Sequence, residues 1–93
     1  MANTLMIDPV DNVVVALTDL PQGETLRWEG ANGAMVEAAD AIPFGHKVAI
    51  LPIARGAQVI KYGASIGVAT KDITPGQHVH SHNLATVRGA ASR

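Results

Sequence analysis

The chain has 93 residues, enough for one domain with a modest core and too few for two. Seven basic and eight acidic residues give a formal net charge of -1, so no basic surface favours a nucleic-acid backbone or an anionic membrane. The absence of cysteine excludes a disulfide framework, a thiolate nucleophile and cysteine ligands for zinc, so any metal site must use histidines, carboxylates or a partner chain.

The N-terminal segment, MANTLMIDPVDN, has neither the basic start nor the long apolar run of a signal peptide. No stretch of the chain approaches the roughly 20 apolar residues that span a bilayer. We therefore expect a cytoplasmic protein without a membrane segment.

Three segments are predicted to form strands. Residues 13–17 and 46–53 are apolar, rich in β-branched side chains and bounded by turn formers, and residues 58–69 continue in the same style around two glycines. Residues 31–42 are the one segment with helical apolar spacing, which predicts a short helix there. With 47% hydrophobic but only 3% aromatic residues, small apolar side chains must fill the core.

A weak internal repeat organises these segments. DLPQGETL (19–26), PIARGAQV (52–59) and DITPGQHV (72–79) each place a glycine between two apolar positions. This spacing predicts a tight turn at the glycine, with a buried apolar residue on each side. Glycine turns that recur by chance in an all-β chain are the alternative.

The third repeat leads into GQHVHSHN, which places His78, His80 and His82 at alternate positions. In a strand these three imidazoles would share one face. They could bind a divalent transition metal in an open site, or transfer protons near neutral pH. A solvated face that happens to be rich in histidine remains open at this point.

Other polar residues lie at related positions. His46 and Lys47 follow the Gly45 turn, and Lys61 and Tyr62 occupy in the second repeat the register of Ser81 and His82 in the third. The two repeats would then line one cleft, where lysine, tyrosine and histidine could hold a carboxylate or steady an oxyanion. Solvated lysines and a half-buried packing tyrosine are the alternatives.

Three motifs together resemble a known family. They are Gly45-His46-Lys47, then Lys61-Tyr62-Gly63 with Ile66-Gly67, and finally Val79-His80-x-His82-Asn83. In this order they resemble the SAF (β-clip) domain of the altronate and galactarate dehydratases over residues 11–84. The resemblance implies a mainly β, SAF-like β-clip fold of short strands with at most one or two short helices. It also implies a single domain over 1–93, with its core at 11–84 and a tail at 85–93.

The resemblance further implies the small subunit of a metal-dependent hydro-lyase, which dehydrates a sugar acid to a 2-keto-3-deoxy acid. Such a chain would be inactive alone and would need a large dehydratase subunit, with homo-oligomers also expected. By motif position, the implied catalytic residues are His80, His82, Lys61 and Tyr62; the substrate contacts are His46, Lys47 and Asn83; and the ligands of Fe²⁺ or Mn²⁺ are His80 and His82, to which the large subunit could add its own. His78 falls where we expect the family to vary.

Two other functions stay open. Small subunits that expel sulfite from sulfolactate look similar, and β-clip domains also serve as carbohydrate-binding or assembly modules. Ala64 stands where the family often has an acidic residue, which puts a carboxylate role there in doubt and leaves the substrate open.

Overall fold

The computed structural model describes residues 2–31 and 35–86, which form a mainly β structure without a helix. The strands are β1 Thr4–Leu5, β2 Val13–Ala16, β3 Lys47–Ala49, β4 Gln58–Lys61, β5 Ala64–Ala69, β6 His78–Val79 and β7 Leu84–Thr86. They form two antiparallel sheets, consistent with a small β-clip fold, so the predicted fold class is confirmed. Within the described part of the chain, no helix is long and apolar enough to cross a membrane.

The larger sheet has the strand order β1-β2-β3-β6. Val48 lies opposite Val14 on one side and opposite His78 on the other, so these three side chains share one face. Lys47 lies opposite Val79 and projects from the other face, because consecutive strand residues alternate. Lys47 and His78 therefore point away from each other across this sheet.

The smaller sheet has the order β4-β5-β7. Its β4–β5 hairpin closes after the Lys61–Ala64 pair, with Tyr62 and Gly63 as a two-residue loop. Both loop residues have positive φ, 58° and 77°, which is the pattern of a type I′ turn. A bulge between Val59 and Ile60 bends β4.

The predicted repeat is confirmed as a repeated turn. Gly23, Gly56 and Gly76 have φ values of 91°, 87° and 92°, and each donates its N–H to an alanine carbonyl of another segment. In each copy the residue after the glycine donates to the carbonyl three positions earlier, as in a type II turn. The apolar positions that flank the glycine are buried; they are Leu20, Leu26, Ile53, Val59, Ile73 and Val79.

A fourth copy of the turn, at residues 42–48, was missed because it lacks the leading Asp or Pro of the other three. Gly45 has a φ of 83° and donates to Ala16, and His46 donates its N–H to Pro43. Isolated β-bridges join Leu20 to Ile42, and Ile53 to Ile73, so the four turns associate in two pairs. This pairing sets where His46 enters β3.

Apolar side chains form two core clusters, one on each face of the larger sheet. The first contains Val14, Ala16, Leu20, Leu26, Trp28, Ala38, Ile42, Val48 and Ile50. The second contains Val13, Ala49, Ile53, Val59, Ala69, Ile73 and Val79, and it fills the space toward the smaller sheet. Trp28 is the one aromatic side chain in either cluster, which agrees with the expectation of a core built from small side chains.

The helix predicted over residues 31–42 was wrong for residues 35–42. This segment forms isolated β-bridges at Glu37 and Ile42 with a bend between them. Ala38 donates its N–H to the Glu24 carbonyl, and Ala39 donates to the Gly76 carbonyl. These long-range partners satisfy the backbone that a helix would have satisfied locally, while Ala38 and Ile42 still reach the first cluster. Residues 32–34 lie outside the described residues.

Ordered structure extends beyond the predicted 11–84 core at both ends. β1 pairs with β2 through Thr4 and Ala16, so residues before position 11 take part in the larger sheet. At the other end β7 includes Ala85 and Thr86, the first two residues of the predicted tail. The rest of that tail, residues 87–93, lies outside the described residues.

Candidate functional site

Four histidine rings meet beside the larger sheet. The ring centroid of His46 lies 5.0 Å from that of His78 and 4.5 Å from that of His80, with both pairs stacked. The ring of His82 lies against that of His78, with the centroids 5.4 Å apart and the planes tilted by 44°. The histidines therefore form a cluster drawn from the Gly45 turn, β6 and the turn after β6.

The predicted three-histidine strand is only partly present. β6 ends at Val79, and residues 80–83 form a turn in which Asn83 donates its N–H to the His80 carbonyl. His78 and His80 still lie close together, with ring centroids 5.4 Å apart. The strand prediction failed because the alternating histidines do not indicate where β6 stops pairing with β3.

Asn83 holds this turn in place. Its side chain accepts a hydrogen bond from the His80 N–H at 2.9 Å and donates one to the His78 carbonyl at 2.8 Å. Asn83 is only 5% exposed. The amide that the family resemblance assigned to substrate is thus engaged with the backbone of the two histidines.

The same arrangement occurs twice more. Asn12 bonds the N–H of Ile60 and the carbonyl of Gln58. Asn3 bonds the backbone of Arg27 and Thr25 in the same way. In each case the two bonded residues are the second and the fourth residue after a repeat glycine, as His78 and His80 are after Gly76. Asn83 is therefore one copy of a repeated structural device.

Two contacts position the start of β6. Asp40 accepts a hydrogen bond from the His78 N–H at 3.0 Å. Gly76 lies so close to the backbone of Glu37 that a Cβ there would collide with the Glu37 carbonyl oxygen. The segment 37–40 therefore fixes the backbone that carries His78.

The surroundings of His78 favour its neutral imidazole. Burial lowers the pKa of His78, and the neighbouring His46, His82 and His80 lower it further, while Asp40 opposes the shift. His46 Nδ1 lies 2.8 Å from His78 Nε2, so one ring donates a hydrogen bond to the other. A neutral imidazole is the form that binds a metal ion.

Three of the rings could hold one ion. A ligand atom of each of His46, His78 and His80 lies within 4.8 Å of the others. His82, predicted as a ligand together with His80, is not part of this group. His46 was predicted as a substrate contact. His78 was predicted as one of three imidazoles that could bind a metal, at a position where the family was expected to vary. The missed signal was the fourth turn, which brings residue 46 beside β6.

The two lysines and Tyr62 form a separate group. Lys47 and His78 project from opposite faces of the larger sheet. Burial lowers the pKa of Lys47, and the positive charge of Lys61 lowers it further. The Lys61 Nζ lies 4.7 Å from the centre of the Tyr62 ring. Lys47 therefore does not share a cleft with His78 on this sheet.

Asp11 supports the turn that carries Tyr62. Its buried carboxylate accepts a hydrogen bond from the Gly63 N–H at 2.8 Å. Burial alone would raise the pKa of Asp11, but backbone N–H donors, Gly63 first among them, outweigh it and lower the pKa. Sequence reasoning missed this residue, since an aspartate near a proline reads as a surface turn.

The chain is thus a small antiparallel β domain that carries a candidate metal centre made of imidazoles. Its family follows from comparison: the model of the altronate/galactarate dehydratase SAF domain matches residues 2–87, and the chain belongs to that family.

The relatives fall into two groups. The chain is 41% identical over 86 residues to the altronate dehydratase of Bacillus subtilis, covering 92% of this chain and 17% of that protein. It is 44% identical over 82 residues to the altronate dehydratase of Escherichia coli, covering 88% of this chain and 16% of that protein. It is also 50% identical over 52 residues to (2R)-sulfolactate sulfo-lyase subunit alpha of Chromohalobacter salexigens, covering 56% of this chain and 55% of that subunit. The chain thus spans a small part of the altronate dehydratases and about half of the sulfo-lyase subunit.

Proposed function

We propose that this chain is the SAF component of a sugar-acid dehydratase of the altronate or galactarate type and works as a small subunit with a larger catalytic chain. The observation that carries the proposal is the meeting of His46, His78 and His80 in a chain of the dehydratase SAF family. The altronate dehydratases contain several times more sequence than this chain matches, which supports a large catalytic part outside it.

The donor set fits a divalent transition metal. Three imidazoles without a carboxylate favour ions on the later side of the first row, so Fe²⁺ is preferred to Mn²⁺. His46 and His78 now share a hydrogen bond of 2.8 Å, and two nitrogens on one ion would lie about 3.3 Å apart, so a small ring shift is sufficient. Three protein ligands leave positions for substrate.

A divalent ion bound to the carboxylate and a hydroxyl of a sugar acid would stabilise the charge that develops when the adjacent proton is removed. His46, His78 and His80 would hold that ion. His82 is exposed and lies against His78, where it could carry a proton to or from the substrate. Asn83 and Asp40 position these histidines rather than touching the substrate.

An exposed apolar surface lies close to the histidine cluster and is our proposed contact with the large chain. Phe44 is 66% exposed and lies two residues before His46. Leu17 is 45% exposed and follows Ala16, which bonds the backbone of both Gly45 and His46. Large exposed apolar side chains of this kind are typical of interface cores.

The sulfolactate reaction is the second candidate. The observation that favours it is the 50% identity over 52 residues to a (2R)-sulfolactate sulfo-lyase subunit alpha. An isolated binding or assembly module is the third candidate, and it requires that no large chain associates.

Purification of the tagged chain from its own organism, followed by assays with altronate, galactarate and (2R)-sulfolactate, separates these functions. We expect a large partner to co-elute and one sugar acid to be dehydrated. Turnover of sulfolactate alone would replace the proposal with the second candidate, and elution without a partner would contradict both.

The metal ligands are tested by calorimetric titration of the chain with Fe²⁺ under anaerobic conditions and with Zn²⁺. His78→Gln is expected to weaken binding by about 100-fold, since one of three ligands is lost. His82→Gln is the matched control and should change the affinity by less than about twofold. Equal losses in both variants would contradict the ligand set.

A further inference from the structure

β7 is an outer strand of the smaller sheet, and its outer edge is open. The strand order β4-β5-β7 leaves no strand beside β7 on the side away from β5, among residues 2–31 and 35–86. The Asn83 carbonyl accepts the N–H of Thr70, and the Ala85 carbonyl also lies against β5. Because backbone groups alternate in direction along an antiparallel strand, the N–H and C=O of Leu84 and Thr86 point outward.

The other outer strands of the two sheets are covered. Asn12 closes the edge of β4 and Asn83 that of β6, each through side-chain bonds to one N–H and one carbonyl along the edge. The outer side of β1 is closed by the Arg27 carbonyl, which accepts the N–H of Thr4. In the described part of the chain, β7 is therefore the one outer strand that no other segment covers. It also contains no charged residue, proline or bulge, the features that usually block pairing at an edge.

The size of this edge indicates what occupies it. Only two residues of β7 present outward backbone groups, and two copies of β7 paired about a two-fold axis would bury far less than the roughly 1,200 Å² of a stable interface. The edge is sufficient as one part of a larger interface. β7 begins directly after the 80–83 turn that carries His80 and His82, and the proposed contact at Phe44 and Leu17 lies beside the same histidine cluster.

From these observations we infer that β7 binds an extended segment of the large catalytic chain, which adds a fourth strand to the smaller sheet. The added strand would lie about 4.8 Å from β7, within a few residues of the candidate metal centre. The inference rests on the proposed function for the existence of the large chain. It goes beyond that function by assigning a main-chain contact between the two chains.

Amide hydrogen exchange at single-residue resolution tests the edge in the isolated chain and in the purified complex with the large chain. The amides of Leu84 and Thr86 should exchange rapidly in the isolated chain and at least about tenfold more slowly in the complex. The amide of Ala85, which points toward β5, should be protected in both. Slow exchange of Leu84 and Thr86 in the dilute isolated chain would show that the chain covers its own edge. Exchange that slows with the concentration of the isolated chain would show that a second copy does, and either result would overturn the inference.

Two variants at one position separate the main-chain contact from a side-chain contact. Thr86→Pro removes an outward N–H that the isolated chain does not use, so the melting temperature should change by less than about 2 °C, while the Kd for the large chain should rise by about tenfold or more. Thr86→Val keeps the N–H and should change that Kd by less than about twofold. Wild-type affinity in Thr86→Pro, or equal weakening in both variants, would refute strand addition. A clear drop in the melting temperature of Thr86→Pro would show that the N–H is used within the chain, which also refutes it.

The outcomes separate this inference from the proposed function. A large chain that co-elutes and dehydrates a sugar acid, but leaves the exchange of Leu84 and Thr86 unchanged, would retain the proposed function and refute the inference. Protection of both amides by a large chain that turns over only sulfolactate would retain the inference and replace the proposed function. Elution without any large chain would refute both.

Discussion

Replacing Asn83 by alanine should loosen the histidine cluster without removing any histidine. The side chain bonds the His80 N–H and the His78 carbonyl at 2.9 Å and 2.8 Å, and it is buried. In Asn83→Ala both backbone groups lose their partner and the turn at 80–83 loses its brace. The expected result is a less stable protein that also binds metal more weakly.

The size of the stability loss follows from the two bonds. Each hydrogen bond to a buried backbone group contributes about 1 kcal/mol, somewhat more where water does not replace it, so the free energy of unfolding should fall by about 2–3 kcal/mol. For a domain of this size that corresponds to a melting temperature lower by about 10–20 °C. Metal affinity should fall by about tenfold, as for other residues that orient metal-binding histidines.

Asn12→Ala is the matched control. Asn12 makes the same pair of bonds, at 3.0 Å and 2.8 Å, to Gln58 and Ile60 instead of histidines. It is more exposed than Asn83, so its replacement should lower stability by about 1–2 kcal/mol. Metal affinity should stay at the wild-type value.

Urea denaturation and calorimetric metal titration, at a temperature where both variants are folded, compare the two. Equal weakening of metal binding in Asn12→Ala would show that the effect comes from general stability and would refute the positioning role. Wild-type stability and metal affinity in Asn83→Ala, with loss of turnover in the complex, would instead restore the substrate contact expected from the family motif.

Further predictions concern the backbone, the buried carboxylate and the partner surface. Gly76→Ala should lower the free energy of unfolding, measured in urea, by more than about 3 kcal/mol, because the new Cβ collides with the Glu37 carbonyl oxygen. Gly23→Ala is the control: its Cβ meets nothing within 4 Å, so it adds only the positive-φ strain of about 1 kcal/mol. Similar losses in the two variants would contradict the collision. Because the folded protein lowers the pKa of Asp11, the ionised carboxylate contributes stability that is fully present above the ordinary pKa of 3.8. This contribution is lost as the pH falls below 3.8 and through the lower pKa of the folded state. The free energy of unfolding of Asp11→Asn should therefore depend less steeply on pH below about pH 4. A curve as steep as that of the wild type would contradict it. Phe44→Ser should leave the melting temperature unchanged and weaken co-elution of the large chain; full co-elution would place the interface elsewhere.

The repeat predicted from DLPQGETL, PIARGAQV and DITPGQHV was the most informative signal in the sequence. Its glycines adopt positive φ, and its apolar positions are buried. Both requirements are local, so the residue types in the repeat indicate them directly. The fourth copy was missed because the repeat was defined with an Asp or Pro at its first position, and Ala41 occupies that position.

The site was less predictable, because its assembly depends on pairing between distant segments. The alternation of His78, His80 and His82 predicted a face shared by three rings, but β6 stops at Val79, and the ring that completes the candidate ligand set comes from His46, 32 positions earlier than His78. Local sequence periodicity does not reveal such a pairing. The roles of Asn83 and Asp11 depend on buried hydrogen bonds in the same way.

The opposite projection of Lys47 and His78 constrains how a complete active site could be built. Side chains alternate between the faces of the larger sheet, and Lys47 lies opposite Val79 while His78 lies opposite Val48. The Lys47 and His78 side chains therefore do not face each other within this chain. Under the proposed function, we expect the large chain to supply the groups that complete the site around His46, His78 and His80.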